Sequence, residues 1–405
     1  MEITDRGVCL QGFKAYGVRE KGYGLAVILS DRPANSSVMV TSNKIMAAPL
    51  VVTMEHAAKG LLRGVVASSG CANAYTGKNG VEDAREMCRA AAAELGIEPE
   101  SLAVASTGVI GRPLDMPLIK SLIKKTASSL GEGSESSLAA ARAIMTTDTK
   151  PKSISVRTRL RTGEEVEIGG IAKGAGMIAP KLRPGTAHAT MLAFITTDAY
   201  VPQDSIHSIL EEAVEQSFNL TIIDGDTSTN DLVVLLANGA AGNRDVDDGF
   251  QEALNFVTRE LAKMIVKDAE GATKFFEVRV GGARSRKDAF LAARAIAGSS
   301  LVKTAIFGGD PNWGRIIAAA GYSGAEFDPE GISLHISSKD TTAHLIEEGR
   351  VLALPGSEEL KKAGRVMKAG EIVITLDLNE GGGESTAFGC DLGYGYIKIN
   401  SEYTS

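Results

Sequence analysis

The chain has 405 residues, 44% hydrophobic and 23% charged, with 43 Lys+Arg against 50 Asp+Glu and a formal net charge of -7 at pH 7. This is ordinary globular composition, with length for two or three domains or one large layered unit. The acidic balance offers no basic field for a nucleic-acid backbone. The longest apolar runs, such as Leu232–Ala237, fall far short of the ~20 residues that span a bilayer, and the opening MEITDRGVCLQGF lacks an apolar signal core.

The first third alternates short apolar runs with helical patterns. Gly64–Ser68 (GVVAS) predicts a strand, and Glu82–Leu95 a helix with Ala84, Met87, Cys88, Ala91, Ala92 and Leu95 on one face. Leu102–Ser106 (LAVAS) predicts a second strand, running into a Thr107-Gly108 turn. Pro113 then opens a helix over Leu114–Leu130, and a shorter helix covers Ser136–Met145. From Ser153 the period becomes two: SISVRTRL, a Thr162-Gly163 turn and EEVEIGG predict a hairpin. The glycine-rich Gly169–Pro180 follows, then KLRPGTAHA with a loop-like Pro184-Gly185, then a strand at Thr190–Thr196.

Beyond it, helices are expected at Gln203–Phe218, Asp248–Asp268 and Arg284–Ala297. Strands are expected at Leu220–Ile223, Leu232–Leu236, Phe275–Val280, Ile372–Leu376 and Tyr396–Ile399. Single helices between strands make the class mixed α/β.

Histidine and metal chemistry have little material. The five histidines include no i, i+4 pair, and the four cysteines (Cys9, Cys71, Cys88, Cys390) form no CxxC, which argues against a zinc site or disulfide framework. A reduced, soluble, cytoplasmic protein is expected.

Thr190, in His188-Ala189-Thr190-Met191-Leu192, is more suggestive. A threonine hydroxyl needs an adjacent base, and an N-terminal threonine carries one in its own amine, whose reference pKa of about 7.7–8 is close to working pH. An internal threonine reaches that state only if its Oγ attacks the preceding carbonyl and the resulting ester is hydrolysed. Taken alone, Ala-Thr before an apolar run is more often the plain edge of a strand. Ser106-Thr107-Gly108 supplies a place where backbone N–H donors could face an oxyanion, although an ordinary turn has the same composition. Polar, glycine-flanked strings around Thr146, Asp224–Asp231, Glu270 and Gly309–Arg315 have the composition of site-forming loops.

In order along the chain stand TSNKIMAAP, STGVIGRP, MTTDTKPK, GGIAKGAGMIAP, ATMLAFITTDA, GDTSTND, DAEGATK, GGDPNWGRI and the terminal NSEYTS. With these strings the chain resembles the ornithine acetyltransferase family (ArgJ), also called bifunctional glutamate N-acetyltransferase, of arginine biosynthesis. The resemblance implies a layered αββα-type sandwich of the self-cleaving N-terminal-nucleophile kind. It implies a cut between Ala189 and Thr190, giving an N-terminal chain, 1–189, and a C-terminal chain, 190–405. Thr190 would carry acetyl from N-acetylornithine to glutamate by a ping-pong route, with Thr107 and Gly108 as oxyanion hole and Thr146, Lys173, Thr190, Glu270, Asn400 and Ser405 binding substrate.

Lys173 suits a substrate carboxylate and Glu270 a substrate ammonium, while either could equally be one half of a surface ion pair. Thr147 could exchange roles with Thr146. No cofactor is implied, and acetyl-CoA would be a second donor if this member also makes the first acetylation. The two chains would assemble as a heterotetramer or larger, without nucleic acid or membrane.

Two departures from the family pattern stand out: the longer Lys181–His188 stretch before the expected cut, and Ser69 and Cys71 where the family tends to have asparagine. An amidase or aminopeptidase using water as acceptor is the main rival. A non-cleaving amino-acid-binding homologue is the other.

Overall fold

The computed structural model describes residues 1–182 and 191–402. The chain forms two compact units: Met1–Asn219 with Asp226–Ile265, and Leu220–Gly225 with the described residues from Val266 onward.

In chain order the first half contains β1 (Glu2–Thr4), β2 (Phe13–Glu20), β3 (Tyr23–Val40), α1 (Ala48–Ala57), β4 (Leu61–Cys71), α2 (Gly77–Leu95), β5 (Leu102–Val109), α3 (Met116–Ala127) and α4 (Ser134–Ala143). There follow β6 (Lys152–Arg159), β7 (Glu165–Lys173), β8 (Leu192–Thr197), α5 (Ile206–Glu215), β9 (Thr221–Ile222), β10 (Leu232–Ala237) and α6 (Asp248–Lys267). All the strands among these except β9 form one nine-stranded sheet, ordered β1-β6-β7-β8-β10-β3-β4-β5, with β2 also pairing β3. The β8–β10 and β4–β5 pairs are parallel and the others antiparallel.

Strand period two explains why this sheet is apolar on both faces. Along β4, Val65 and Ala67 join one buried cluster with Ile28, Ile171, Phe194 and Val234; Val66 between them joins another with Met87, Cys88, Ile119 and Leu122. The second cluster contains the inner faces of α2 and α3. α2 ends at Gly96, whose left-handed φ of 68° terminates the helix. α3 starts at Met116, two residues later than expected, because the Asp115 carboxylate accepts from the Leu118 N–H at 3.1 Å and acts as the N-cap.

The second unit contains β9, β11 (Phe275–Ala283), α7 (Arg286–Gly298), α8 (Ser300–Gly308), α9 (Trp313–Gly321), β12 (Ser333–Ser338), β13 (Thr341–Glu347), β14 (Arg350–Val351), α10 (Glu358–Val366), β15 (Glu371–Asp377), β16 (Gly383–Cys390) and α11 (Tyr394–Glu402). Its seven strands run β14-β13-β12-β15-β11-β16-β9. The core there joins Phe276, Val278 and Leu376 of the sheet to Ala289, Ala293 and Ile296 of α7.

Two expectations need correction. Tyr396–Ile399 is not a strand but part of α11. The alternating Tyr-Ile-Lys-Ile pattern has no sheet neighbour to pair with, and Tyr394 and Ile397, three apart on a helix, are exposed. Thr107-Gly108 is not a strand-to-helix turn; it lies inside β5, at a bulge where Cys71 of β4 opposes both Thr107 and Val109. The mixed α/β class holds. The four cysteines are buried and form no disulfide, and no single described helix is long and apolar enough to cross a membrane.

Candidate active site

The bulge in β5 explains the glycine at 108. Its φ is +134°, and a Cβ there would stand 2.4 Å from the Gly70 carbonyl carbon and 2.6 Å from the Cys71 nitrogen, so no side chain fits. Thr107, the residue before it, is completely buried.

Thr107 meets the end of β7. The Lys173 ammonium, 2% exposed, donates to Thr146 Oγ1 at 2.8 Å and to Thr107 Oγ1 at 3.4 Å. Of the two adjacent threonines it is therefore Thr146 that meets Lys173. The alternative of a surface ion pair fails for this lysine, since it is buried.

Behind it lies Asp148, absent from the expected site. Its carboxylate accepts from Lys152 Nζ at 2.7 Å, from the Gly174 N–H at 2.7 Å and from the Thr146 N–H at 3.0 Å, and Lys173 Nζ stands 3.8 Å away. Burial alone would raise this carboxyl. The Lys173 and Lys152 ammoniums and the bonds from Lys152 and Gly174 outweigh it and hold the group below the usual carboxylate range. Two buried ammoniums thus stand beside one such carboxylate, a chemistry suited to an anionic substrate group or an oxyanion.

The strand register brings this cluster to the start of β8. Lys173 is the cross-strand partner of Leu192, and Leu192 pairs on its other side with Leu232 of β10. The string before β10 is tied in at several points. Asn230 Nδ2 donates to the Ala72 carbonyl at 2.6 Å and to the Ser106 carbonyl at 2.8 Å, joining the β4 and β5 ends on either side of the bulge. Thr41 Oγ1 donates to the Ser228 carbonyl at 2.6 Å, and the Ala47 N–H to the Thr229 carbonyl at 2.9 Å. The strings TSNKIMAAP, STGVIGRP, MTTDTKPK, GGIAKGAGMIAP and the DTSTND of GDTSTND thus converge within the first unit.

Ser69 and Cys71 are packing groups. Ser69 Oγ donates to the Ala143 carbonyl at 2.7 Å, and Cys71 Sγ to the Arg112 carbonyl at 3.2 Å, with burial raising the thiol. A buried, hydrogen-bonded thiol of raised pKa is a poor nucleophile.

In the second unit, Glu270 Oε2 accepts from Asn400 Nδ2 at 2.8 Å, so Glu270 has an amide rather than a cation as its partner. Gly271 lets the start of α11 approach: a Cβ there would meet the Tyr396 nitrogen at 2.3 Å. The rest of DAEGATK is structural. Asp391 accepts from the Thr273 and Lys274 N–H groups at 2.8 and 2.9 Å, and Lys274 Nζ caps the Ile306 and Met367 carbonyls at 2.7 and 2.8 Å. GGDPNWGRI joins α8 to α9, with Gly309 as left-handed cap and Trp313 Nε1 on the Ala353 carbonyl at 3.3 Å. Ala189, Thr190, Ser405 and most of the Lys181–His188 stretch lie outside the described residues.

The ArgJ family model matches residues 11–405. The chain belongs to the ArgJ family. Within it, the chain is 50% identical over 409 residues to "Glutamate N-acetyltransferase" of Methanocaldococcus jannaschii, covering 100% of both chains. It is 48% identical over 406 residues to "Arginine biosynthesis bifunctional protein ArgJ" of Archaeoglobus fulgidus, again covering 100% of both. A solved structure of the argJ protein from Bacillus halodurans is 39% identical, with a TM-score of 0.47, over 51% of this chain and 97% of that one. The family resemblance stated from the motifs is thus borne out over almost the whole length.

Proposed function

We propose that this ArgJ-family protein is an acetyltransferase of arginine biosynthesis, of the glutamate N-acetyltransferase and ornithine acetyltransferase kind, working through Thr190. The observation that carries the reading is the convergence of Thr107, Thr146 and Lys173 on the strand register that opens β8, the strand that begins two residues after Thr190.

Maturation would begin with attack of Thr190 Oγ on the Ala189 carbonyl, the nitrogen taking the hydroxyl proton as the C–N bond breaks. Water would hydrolyse the ester. This leaves chains of 189 and 405 − 189 = 216 residues. They would stay together because β8 and β10, on the C-terminal side of the cut, lie between β7 and β3 in one hydrogen-bonded sheet.

In the first half-reaction, Oγ bonds to the acetyl carbon of N-acetylornithine while the amide C–N bond breaks, and the Thr190 amine relays the proton to the leaving amine. In the second, the glutamate amine attacks the ester, the C–O bond breaks and Oγ regains its proton. Thr107 and Gly108 take the oxyanion hole. Lys173 receives a substrate carboxylate beside Thr146, and Glu270 and Asn400 take a substrate ammonium and its surroundings, with Ser405 as the last contact. The bulge supports the oxyanion role, since it turns the β5 backbone out of regular pairing at that point.

The test is transfer itself. Purified protein given N-acetylornithine and glutamate should yield N-acetylglutamate and ornithine in equal amounts, with parallel double-reciprocal lines as each substrate is varied. Release of free acetate without N-acetylglutamate would replace this reading with an amidase. An added acetyl-CoA arm reports whether the same threonine accepts a second donor.

A further inference from the structure

Lys152 has no part in the reaction just described, yet its ammonium is buried beside the candidate site. The residue is 1% exposed, and Nζ donates to Asp148 Oδ1 at 2.7 Å and to the Lys150 carbonyl at 3.3 Å. A buried ion pair is a weak route to stability, since apolar groups of similar volume often serve as well or better. The polar cluster next to this pair supplies a better reason for it.

Asp148 is where that cluster is tied together. Its Oδ1 also accepts from the Gly174 N–H at 2.7 Å, fixing the backbone immediately after Lys173, and its Oδ2 accepts from the Thr146 N–H at 3.0 Å. The Lys173 ammonium stands 3.8 Å from Oδ2 and donates to Thr146 Oγ1 at 2.8 Å. One carboxylate therefore fixes the backbone of both partners in the lysine–threonine contact and supplies a counter-charge to it. The sheet register delivers Lys152 to this point, because it opens β6 opposite Ala172 of β7, the residue before Lys173. Asp231 is the other acid whose charge reaches Lys173, but burial drives its carboxyl well above the ordinary carboxylate range, the opposite direction from Asp148.

The two ammoniums do not stand equally with Asp148. Lys152 hydrogen-bonds its carboxylate, whereas Lys173 lies beyond hydrogen-bond reach and spends its bond on Thr146. Without the Lys152 charge, that carboxylate would draw Lys173 toward Oδ2 and off Thr146 Oγ1, a strong pull in a buried site.

We propose that Lys152 is a positioning residue, acting through Asp148 to hold the Lys173 ammonium on Thr146 and so in place for a substrate carboxylate. This rests on Lys173 receiving that carboxylate, as proposed above.

The experiment uses the full-length protein, its Lys152→Met variant and two acetyl donors. One is N-acetylornithine; the other is N-acetylputrescine, the same molecule without the α-carboxylate. With glutamate as acceptor, kcat/KM is measured for each donor. Their ratio reports recognition of the carboxylate, and the fraction of folded protein cancels from it. In Lys152→Met the ratio should fall about tenfold, almost all of it through the carboxylated donor. A purely structural role would lower both donors by the same factor, and an unmoved ratio overturns the inference. Lys152→Gln still donates to Asp148 but carries no charge, and the same expectation applies to it should the methionine chain fail to fold. Lys173→Met separates the two readings. If it lowers the ratio while Lys152→Met does not, the positioning role alone is overturned. If it leaves the ratio at the wild-type value, the assignment of Lys173 itself fails, which is a separate result.

Discussion

Replacing Thr190 with alanine should yield one uncut 405-residue chain with no acetyl transfer. The variant lacks the hydroxyl proposed to attack the Ala189 carbonyl, so no N-terminal amine is created and both nucleophile and base are lost together. The expected fall in kcat is on the order of 10⁶-fold, the scale seen when a covalent catalyst loses its nucleophile. Thr190→Ser keeps a hydroxyl at the same position and should retain slow cleavage and residual transfer. The pair of variants read by denaturing gel and transfer assay separates lost chemistry from lost folding. Normal processing of the alanine chain would mean that the nucleophile lies elsewhere.

The second large effect is expected at Asp148, on stability. Its side chain is 0% exposed, and those of Lys152 and Lys173 are 2% exposed. Asp148→Asn would remove the carboxylate charge that both buried ammoniums face, and removing one partner of a buried ion pair costs about 3–5 kcal/mol. Urea unfolding in the uncut Thr190→Ala background keeps the transition unimolecular and measures this loss directly.

The pH dependence has a definite sign. A carboxyl lowered in the folded state contributes stability that is complete above its unfolded pKa of about 3.9 and is lost as pH falls toward the folded value. The gap between parent and variant should therefore be full at pH 7 and about 1 kcal/mol narrower at pH 3. A gap unchanged across that range would mean that Asp148 is not held as a carboxylate.

The parts of this fold that are legible in the sequence are those where one period runs uninterrupted. α2 and α6 show their buried faces at helical spacing, and β6 with β7 is a plain alternating hairpin around Thr162-Gly163. β3 is not legible, although at 18 residues it is the longest strand described. Its middle, Asp31-Arg32-Pro33, reads as a chain breaker, and the fold puts that stretch where the β4 ladder is interrupted between Leu29 and Ala34. A proline is harmless there, because no ladder bond is lost. α8 and α9 are hidden for a related reason. The capping residues that join them, Gly309 and Asn312, have the composition of a binding loop.

The site divides in the same way. Motif strings identify which loops matter, and Thr107, Lys173 and Thr146 do come together. Composition cannot say which acid in a polar string turns inward. Asp148 stands beside Thr146 and Thr147 in the quoted string, yet its importance depends on Lys152 and Lys173 arriving from β6 and β7. Asn230 and Asp231 sit in GDTSTND with nothing local to distinguish them; one bridges β4 and β5, and the carboxyl of the other is buried with no hydrogen-bond partner among the described residues.

On the proposed mechanism the catalyst is made by breaking its own backbone before residue 190. Intact-mass spectrometry of the active, purified protein under denaturing conditions tests it most directly. Two species are expected, one ending at Ala189 and one beginning with Thr190. A preparation that transfers acetyl at full rate while its mass remains that of the whole 405-residue chain would contradict it.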